Sequence, residues 1–500
     1  MAQGVTAEAA DGRGGTGTLG SAERLQIELN GINIIRERER KGRPRQLFWP
    51  WFGANVSVLG ISYGAFVLGF GISFWQAVVV GLVGIVVSFL LCGLVAIAGK
   101  RGSAPTMVLS RAAFGVRGNR LPAVVSWLLN VGWETALTTL ATLATAEVFK
   151  RLGAGGGTGT EVIALVVVAA LIVGGGVMGF DTIMRMQVWI TLVTGVLTVV
   201  FIALSAGHVH WHQVAAVHAG STQAVIGALV FVMTGFGLGW VNTAADYSRY
   251  LPRRSSTRGV VWWTAFGSSV APIALLVFGL LLAGSSKSLS SAISQLDPVG
   301  ALASLLPTWF LVPFVIVAVL GIVGGAVLDI YSSGLALLTA GFRIPRYLAA
   351  GIDGVLMIAG TVYVVFVAAG NFLGQFEGLL ITLGVPIAAW CGVFLADLAL
   401  RRRPYVEDDL FRPTGRYGDV RAVPVLTVVV ASVLGWGLVT NSAASWLSWQ
   451  GYLLSPLGLG GKTGAWAYAN LGVLVALALG FLVTLAASAG AVRAQEAEAR

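Results

Sequence analysis

The stretch VIGALVFVMTGFGLGWVNTAADYSRYLPRR, residues 225–254, places three glycines within five positions of an otherwise apolar run, at Gly235, Gly237 and Gly239. Each glycine weakens a helix interior by about 1 kcal/mol relative to alanine. A helix that breaks at such a point frees backbone groups, which can then bind a ligand. Glycines also let helices pack closely, and that explanation needs no ligand. The stretch therefore predicts a broken helix and leaves both causes open.

The composition indicates an all-α polytopic membrane protein. Of the 500 residues, 56% are hydrophobic and 11% are charged, whereas about a quarter of a soluble domain is charged. No charged residue occurs between Arg45 and Lys100, an interval long enough for two spans of about 20 residues each. Apolar runs predict ten further spans, at residues 122–149, 161–180, 186–205, 224–245, 259–283, 308–340, 347–368, 376–398, 422–440 and 464–487. We therefore expect 12 transmembrane helices.

Loops rich in Lys and Arg alternate along the chain with loops that have few. The basic loops include residues 36–45, 248–254, 343–346 and 401–421. The positive-inside rule places them in the cytoplasm, and an even number of spans then puts both termini there. We assign the net charge of +10 to this orientation and to contact with anionic lipids, rather than to nucleic-acid binding.

Cysteine and histidine predict neither a disulfide nor a metal site. Cys92 and Cys391 both lie within apolar spans, where a cysteine is usually a small core residue. The sequence GHVHWHQVAAVH, residues 207–218, contains all four histidines, His208, His210, His212 and His218. Alternating histidines can bind zinc, but we favour a solvated loop.

The first predicted span repeats the interruption seen in the sixth. WFGANVSVLGISYG, residues 51–64, contains Gly53, Asn55, Ser57 and Gly60 within a charge-free run. Corresponding interruptions in the two halves of a chain are typical of inverted-repeat transporters, which bind their substrate at these breaks. A channel does not need two such breaks, a membrane enzyme needs a catalytic constellation that we do not find, and a receptor needs a signalling domain. We therefore expect a transporter and no enzymatic activity.

Two acids lie deep within predicted spans, Glu134 in the third and Asp329 in the eighth, where Ser332 and Ser333 follow it. An acid at this depth costs at least about 2.5 kcal/mol and suggests a function, although the acids could instead be paired structurally. Asp246 and Arg249 lie where the sixth span leaves the membrane. There we expect a structural salt bridge.

Six motifs in order carry a family resemblance: KGRPRQLFWPWFGANVSVLGISYG (41–64), FWQAVVVGLVG (74–84), GKRGSAPTMVLSRAAFGVRGNRLP (99–122), WVNTAADYSRYLP (240–252), LDIYSSGLALL (328–338) and FLADLALRRRPY (394–405). Together they resemble the nucleobase-cation symporter family, in its purine and cytosine permease branch. The resemblance implies the leucine-transporter type of fold, with two inverted five-helix repeats and two extra helices. It also implies alternating access.

The resemblance implies three regions and a small-molecule partner. Residues 1–35 would be a disordered cytoplasmic tail, residues 36–488 the twelve-helix transporter domain, and residues 489–500 a cytoplasmic C-terminal tail. The protein would import cytosine, purines or both across the plasma membrane, as a monomer without a cofactor. The alternative substrates are thiamine, allantoin, uracil or a hydantoin.

The family site implies a planar base held between aromatic rings of the third and sixth spans. Trp133 matches the first ring, and Phe236 or Trp240 the second, with the count pointing near Gly237. Relatives read the base edge with amides of the eighth span, where this chain has Leu328 and Asp329. A carboxylate only accepts hydrogen bonds, so Asp329 favours an edge rich in N–H groups. The residues expected to bind substrate are Ser57, Trp133, Glu134, Phe236, Gly237, Trp240 and Asp329.

The coupling ion is expected to be sodium or a proton. Sodium-coupled relatives imply an ion held by the carbonyl groups of Gly53 and Val56 and the hydroxyl groups of Ser332 and Ser333. Intramembrane carboxylates such as Glu134 are equally typical of proton relays. Asp329 could accordingly read the substrate, carry a proton or serve a structural purpose.

Overall fold

Eighteen α-helices occur among the residues that the computed structural model describes, which are 27–295, 298–368, 372–441 and 444–497. In chain order they are α1 Phe48–Asn55, α2 Leu59–Leu68, α3 Phe74–Gly102, α4 Thr106–Phe114, α5 Arg120–Arg151, α6 Thr158–Met178, α7 Phe180–Ser205, α8 Trp211–Ala215, α9 Thr222–Gly235, α10 Ala244–Ser248, α11 Thr257–Ser285, α12 Lys287–Gln295, α13 Pro298–Ala303, α14 Leu311–Ala340, α15 Arg346–Val362, α16 Phe372–Leu400, α17 Ala422–Trp436 and α18 Leu471–Ala497. The described part of the chain has no β-strand.

Nine helical segments within the described ranges are long and apolar enough to cross a membrane, and the pair α1 and α2 makes a tenth if it counts as one span. The nine are Phe74–Gly102, Thr158–Met178, Phe180–His208, Thr222–Ser248, Thr257–Ser285, Thr308–Ala340, Arg346–Val367, Gly374–Leu400 and Leu471–Ala497. The two remaining expected spans correspond to α5 and to the 15-residue helix α17. The chain is thus a multi-pass helical membrane protein, and the number twelve stays a prediction.

The first span is broken, as the sequence predicts. Helices α1 and α2 meet at 65° across residues 56–58. The Asn55 amide donates to the carbonyl oxygen of Trp51 at 2.8 Å, and the Ser57 hydroxyl accepts from the backbone N–H of Leu59 at 3.3 Å. Such side-chain bonds compete with the helical ladder at the point where it ends.

The sixth span is also broken, and each of the three glycines at the break meets a different helix. Helix α9 ends at Gly235, two 3₁₀ turns follow, and α10 begins at Ala244. A Cβ atom at Gly235 would overlap the Tyr63 ring, and one at Gly237 would overlap the backbone of Ser88. One at Gly239 would lie 3.3 Å from Trp133 Nε1. Helix breaking and close packing therefore both explain this stretch.

The basic loops meet on one side of the helix bundle, which we call the basic side. Arg40 and Arg253 both pair with Glu407, and Arg101 donates to the carbonyl oxygen of Arg401 at 2.9 Å. These contacts join three loops that are far apart in sequence. The alternation of charge along the chain thus becomes a single charged face.

Part of each predicted tail lies within the described residues. Residues 27–35 contact the helix bundle, and Ile35 is buried in its core. Residues 489–497 continue helix α18. Residues 1–26 and 498–500 lie outside the described residues, so the prediction made for them is not addressed.

The cysteines and histidines lie where the sequence analysis expects them. Cys92 and Cys391 are free and buried. The four histidines are exposed on the side of the bundle opposite the basic loops. Within the part of the chain that the structure describes, no group of three or more His, Cys, Asp or Glu side chains could hold a metal ion.

Candidate functional site

A cavity of about 60 Å³ lies where the two broken spans meet α5 and α14. Its walls include five of the residues predicted to bind substrate: Ser57, Trp133, Phe236, Trp240 and Asp329. These residues come from four segments separated by up to 272 positions in the chain. The tertiary fold therefore assembles most of the predicted site at the two helix breaks.

Aromatic rings form much of the cavity wall. Trp240 makes an edge contact with Trp51, with 5.8 Å between ring centroids, and Trp133 makes an edge contact with Phe376 at 5.0 Å. Phe236 lies 4.5 Å from the ring of Tyr63. Both tryptophans line the same cavity and are only partly buried, so ring surface remains available to a planar ligand.

The cavity also contains polar groups without a partner. Asp329 is 1% exposed, and neither of its carboxylate oxygens has a hydrogen-bond partner in the protein. The indole N–H of Trp133 is likewise buried and unpaired. Leu328, the neighbouring position in the family comparison, is not a lining residue, and its carbonyl oxygen accepts from the Tyr247 hydroxyl at 2.8 Å. An acceptor and a donor thus remain available to a ligand.

Glu134 and Gly237 do not line the cavity, which corrects their expected place at its wall. Gly237 packs against α3: its N–H donates to the Ser88 hydroxyl at 3.1 Å, and its carbonyl oxygen lies 3.0 Å from Cys92 Sγ. The glycine is needed there for close approach and leaves no backbone group free. Glu134 is fully buried on α5 behind Trp133, beside Ser333 and Asp353.

The four predicted sodium ligands do not come together. Cβ atoms added at Gly324 and Gly321 would lie 2.5 Å from the carbonyl oxygens of Gly53 and Val56, respectively, so those carbonyls face this part of α14. Ser332 lies eight residues further along, about 12 Å at 1.5 Å per residue. Bound cations have oxygen ligands within about 2.6 Å. A set that joins these carbonyls to the serines is therefore incorrect.

The two serines have other partners, and an amide lies beside the carbonyls. The Ser332 hydroxyl is 3.1 Å from that of Tyr247, and the Ser333 hydroxyl donates to Asp353 Oδ2 at 2.8 Å. The Gln187 amide of α7 donates to the carbonyl oxygen of Gly324 at 2.6 Å. Its own oxygen has no partner and faces Gly53.

Asp353, Gln187 and Tyr63 are the main residues that the sequence analysis missed. Asp353 was overlooked although it lies inside the predicted span 347–368, where an acid is a strong signal. Gln187 likewise lies inside the span 186–205. Tyr63 follows the interrupted stretch of the first span, and an aromatic residue there gives no distinguishing signal.

An aromatic cluster closes the cavity on the side away from the basic loops. Tyr63 and Phe236 line the cavity, whereas Phe66 and Phe231 line a separate recess of about 480 Å³. The ring of Tyr63 contacts the other three rings, at 4.5–5.7 Å between centroids. These four side chains therefore separate the cavity from that recess.

Glu28 forms a latch on the basic side. Its carboxylate accepts from the Phe180 N–H at 2.7 Å, from the Tyr331 hydroxyl at 3.3 Å and from the Tyr250 hydroxyl. It also pairs with Arg249 at 3.4 Å and with Arg346 at 3.8 Å. One side chain of the N-terminal segment thus joins the ends of four long helical segments.

Arg249 belongs to this latch and not to the expected salt bridge with Asp246. Asp246 instead accepts from the backbone N–H and hydroxyl of Thr106, at 2.7 and 2.8 Å, and so caps α4. Burial by itself lowers the pKa of Arg249, but the nearby Tyr250, Tyr331 and Glu28 outweigh it and the pKa is raised. Arg249 therefore stays charged, and the expected salt bridge between Asp246 and Arg249 does not form.

Known proteins resemble this chain over most of its length. It is 22% identical over 432 residues to a putative purine-cytosine permease of Bacillus subtilis (strain 168), covering 84% of this chain and 89% of the relative. A purine-cytosine permease of Saccharomyces cerevisiae is 24% identical over 280 residues, covering 53% of this chain and 49% of the yeast protein. The match thus spans about half the length of the yeast permease.

Solved structures share the fold. A nucleobase-cation-symport-1 family transporter, in a closed conformation with bromovinylhydantoin bound, superposes with a TM-score of 0.69 at 18% identity, covering 94% of this chain and 96% of the other. A Na⁺-coupled sialic acid symporter gives 0.57 at 11% identity, covering 92% and 93%. The leucine-transporter type of fold expected from the sequence is confirmed.

Residues 34–453 match the family described as permeases for cytosine/purines, uracil, thiamine and allantoin. The match covers more than four-fifths of the chain and includes both broken spans, Trp133, Trp240 and Asp329. Its members are permeases rather than enzymes, as the sequence analysis expects. This chain belongs to that family of membrane permeases.

Proposed function

We propose that this protein is a secondary active symporter that imports a nucleobase, either cytosine or a purine, together with a cation. The observation that supports this most directly is the unpaired Asp329 carboxyl in a cavity that Trp133 and Trp240 also line. The relatives that match most of the family region are described as purine-cytosine permeases. Symporters among the proteins of the same fold support coupling to a cation.

The chemistry of the site favours a planar ring with N–H groups along one edge. Base-aromatic stacking contributes about 1–3 kcal/mol per base, which suits the two tryptophans. Asp329 accepts hydrogen bonds, and the Trp133 indole can donate one. The edge of cytosine pairs an amino donor with ring and carbonyl acceptors. Uracil presents more carbonyl groups and fits an acceptor such as Asp329 less well.

A different small N-heterocycle is the alternative substrate. The family description includes thiamine, uracil and allantoin, and one transporter of the same fold holds bromovinylhydantoin. A hydantoin is also planar and carries ring N–H groups. Stacking on Trp133 and Trp240 does not distinguish it from a base, whereas the edge facing Asp329 does.

Alternating access follows from the two closures around the cavity. The cavity between the two closures is small, at about 60 Å³. The aromatic cluster around Tyr63 and the latch at Glu28 lie on opposite sides of the cavity. Opening one closure at a time would admit the substrate from one side and release it on the other.

The charge pattern supports an orientation in the plasma membrane. With the basic side in the cytoplasm, both described ends of the chain lie there. We propose a monomer as the transporting unit, because the cavity is lined by one chain. When cysteines introduced near Glu28 and near His210 are labelled from outside the cell, only the cysteine near His210 should be modified.

Uptake into proteoliposomes tests the proposed function. Radiolabelled cytosine is offered to the purified protein, with adenine, hypoxanthine, uracil, allantoin, thiamine and hydantoin as competitors. We expect cytosine or a purine to compete best, and Trp133→Ala to abolish this order. Asp181→Asn is the control, because that carboxylate pairs with Lys41 far from the cavity and is 61% exposed. Absence of uptake of cytosine, and of each other compound when it is labelled in turn, would refute the proposal.

A further inference from the structure

Three carboxyl groups lie within the bundle near the cavity, on three different helices. They are Glu134 on α5, Asp329 on α14 and Asp353 on α15, and each is at most 1% exposed. Within the described part of the chain none of the three forms an ion pair. Burying several unpaired acids is costly, so their grouping calls for a function.

The hydrogen bonds of these acids differ sharply. Asp353 accepts from the Trp127 indole N–H at 2.7 Å and from the Ser333 hydroxyl at 2.8 Å. Two donors of this kind stabilise an ionised carboxylate. Glu134 has no hydrogen bond of good geometry to either oxygen, although Ser333 lies close enough to interact with it. A buried acid without donors favours its neutral form.

Ser333 therefore lies between an acid without donors and an acid that accepts two hydrogen bonds. Its hydroxyl proton is directed to Asp353 Oδ2 at 2.8 Å, with the carbonyl oxygen of Ile330 as a second acceptor at 3.2 Å, and its oxygen can still accept a hydrogen bond. A protonated Glu134 would donate to that oxygen after a rotation of its side chain, because no hydrogen bond of good geometry joins the two groups in this structure. The sequence of groups from Glu134 through Ser333 to Asp353 has the donor and acceptor order of a proton wire.

The wire runs from the level of the cavity toward the basic side. Glu134 follows Trp133, a cavity residue, and lies 14 residues from the start of α5, about 21 Å along its axis. Asp353 lies seven residues from the start of α15 and Ser333 seven residues from the end of α14, about 10 Å from the basic ends of those helices. Transfer along the wire therefore moves a proton toward the basic side.

We propose that Glu134, Ser333 and Asp353 form the proton-carrying site that couples transport to a proton gradient. This inference rests on the proposed function. Protonated Glu134 gives its proton to Ser333 Oγ while the Ser333 hydroxyl proton passes to Asp353 Oδ2. Glu134 becomes the carboxylate, Asp353 becomes the acid, Ser333 is unchanged, and no group is oxidised or reduced.

The site is joined to the cavity through two helices. Glu134 is the chain neighbour of Trp133, and Ser333 lies four residues after Asp329, on the same face of α14. A substrate that stacks on Trp133 and bonds to Asp329 therefore contacts α5 and α14, two of the three helices that carry the wire. The predicted sodium set is not assembled, and the Gln187 amide donates to the carbonyl oxygen of Gly324 at this place.

The charged and titratable surroundings of Glu134 are few. Asp329 and Ser333 face it from α14 and Asp353 from α15. Helices α6 and α16 also pack against α5, with α13 and the helical turn Tyr363–Val367. The titratable groups on these elements, apart from the buried thiol of Cys391, lie near helix ends or are exposed: Glu161, Glu377, Asp397 and Tyr363.

Two transport assays on the full chain in proteoliposomes test the proposal. One measures accumulation of labelled cytosine driven by a pH difference of one unit, which supplies a factor of about ten for each proton carried. The other measures exchange of labelled against unlabelled cytosine without a gradient. We expect Glu134→Gln and Asp353→Asn to lose the tenfold accumulation and retain exchange. Glu147→Gln, on the outer part of the same helix, should keep both.

The outcomes separate this inference from the proposed function. Three results would overturn the proton site. They are accumulation that survives in Glu134→Gln, accumulation that is lost only in Asp329→Asn, and accumulation that a sodium gradient drives without a pH difference. If the wild type transports no compound at all, the proton site can still be tested by infrared difference spectra of the protonated carboxyl groups. A protonated-carboxyl band that the wild type shows and Glu134→Gln lacks would support the proton site, even though the proposed substrate fails. The same band in Glu134→Gln would overturn the proton site.

Discussion

Replacing Asp329 by asparagine should change which base is preferred more than it changes total affinity. The substitution keeps the shape of the side chain, removes its charge, and turns one acceptor oxygen into a donor. In the structure both oxygens are buried, unpaired and next to the cavity. No internal hydrogen bond is therefore lost, and the effect falls on the ligand.

The expected magnitude follows from the two oxygens. Hydrogen bonds to a charged group contribute about 1.5–3 kcal/mol, against about 1 kcal/mol for neutral ones, so cytosine should lose about 1 kcal/mol, or about fivefold in affinity. Uracil should gain a new bond from the amide, also about 1 kcal/mol. The ratio of the two affinities should therefore shift by roughly 30-fold.

Competition curves for cytosine and uracil in Asp329→Asn, wild type and Asp181→Asn proteoliposomes measure this shift. The pH dependence of uptake is recorded on the same samples, and we expect it to persist because the proton site lies at Glu134. An unchanged affinity ratio together with an unchanged pH profile would show that Asp329 is only a buried structural acid. A flattened pH profile with an unchanged ratio would assign the proton to Asp329.

Three further predictions address the clamp, the latch and the helix break. Trp133→Ala should weaken substrate affinity by about 5- to 150-fold, because about 1–3 kcal/mol of stacking is lost. Trp75→Ala, at an exposed position, should leave the affinity unchanged. Equal competition constants for the two variants would exclude the clamp. Glu28→Gln removes the charge that holds Arg249, so the closed state of the latch should lose about 2 kcal/mol of stabilisation. Access to the cavity from the cytoplasm should then increase about 30-fold, measured as the alkylation rate of a cysteine that replaces Ser332. Gly237→Ala should cost about 1–3 kcal/mol of stability by overpacking against Ser88 and should lower the midpoint of thermal unfolding. Gly351→Ala should leave the midpoint unchanged, because an added Cβ there meets nothing within 4 Å. Equal midpoints for the two variants would contradict the close packing at Gly237.

The multi-pass helical architecture and the family could be predicted from the sequence because they depend on properties that are local along the chain. An apolar run of about 20 residues must form a helix in a bilayer, since every backbone group has to be satisfied within the segment. The interruptions at residues 51–64 and 235–240 predict breaks for a similar reason: glycine, asparagine and serine disfavour a continuous helix wherever they occur.

The aromatic half of the site was also within reach of the sequence. Trp133, Phe236 and Trp240 were matched through motifs that keep their order and spacing, and all three line the cavity. The sequence could not decide between Phe236 and Trp240, because one turn of helix decides which face a ring occupies. Both rings reach the cavity because the 3₁₀ turns change the rotation per residue between them.

The polar partners were decided by tertiary structure alone. From the chain, Ser332 and Ser333 looked like ligands for the carbonyls of the first break, yet α14 presents Gly321 and Gly324 to those carbonyls. Register between two helices depends on packing over their whole length, which no local pattern contains. The partners of Asp246 and Arg249, although only three residues apart, also differ for this reason.

Sequence reasoning alone identifies this chain as a helical membrane permease with two broken spans, and it predicts that a pair of tryptophans holds a planar substrate. Only the tertiary structure decided that Asp329 faces the cavity while Glu134 faces Ser333 and Asp353. Burial, charge and helix breaking are properties of segments, whereas a hydrogen bond joins atoms that the chain separates by 20 residues in one case and by 226 in another. The different surroundings of the buried acids, on which their proposed roles rest, are therefore a property of the fold.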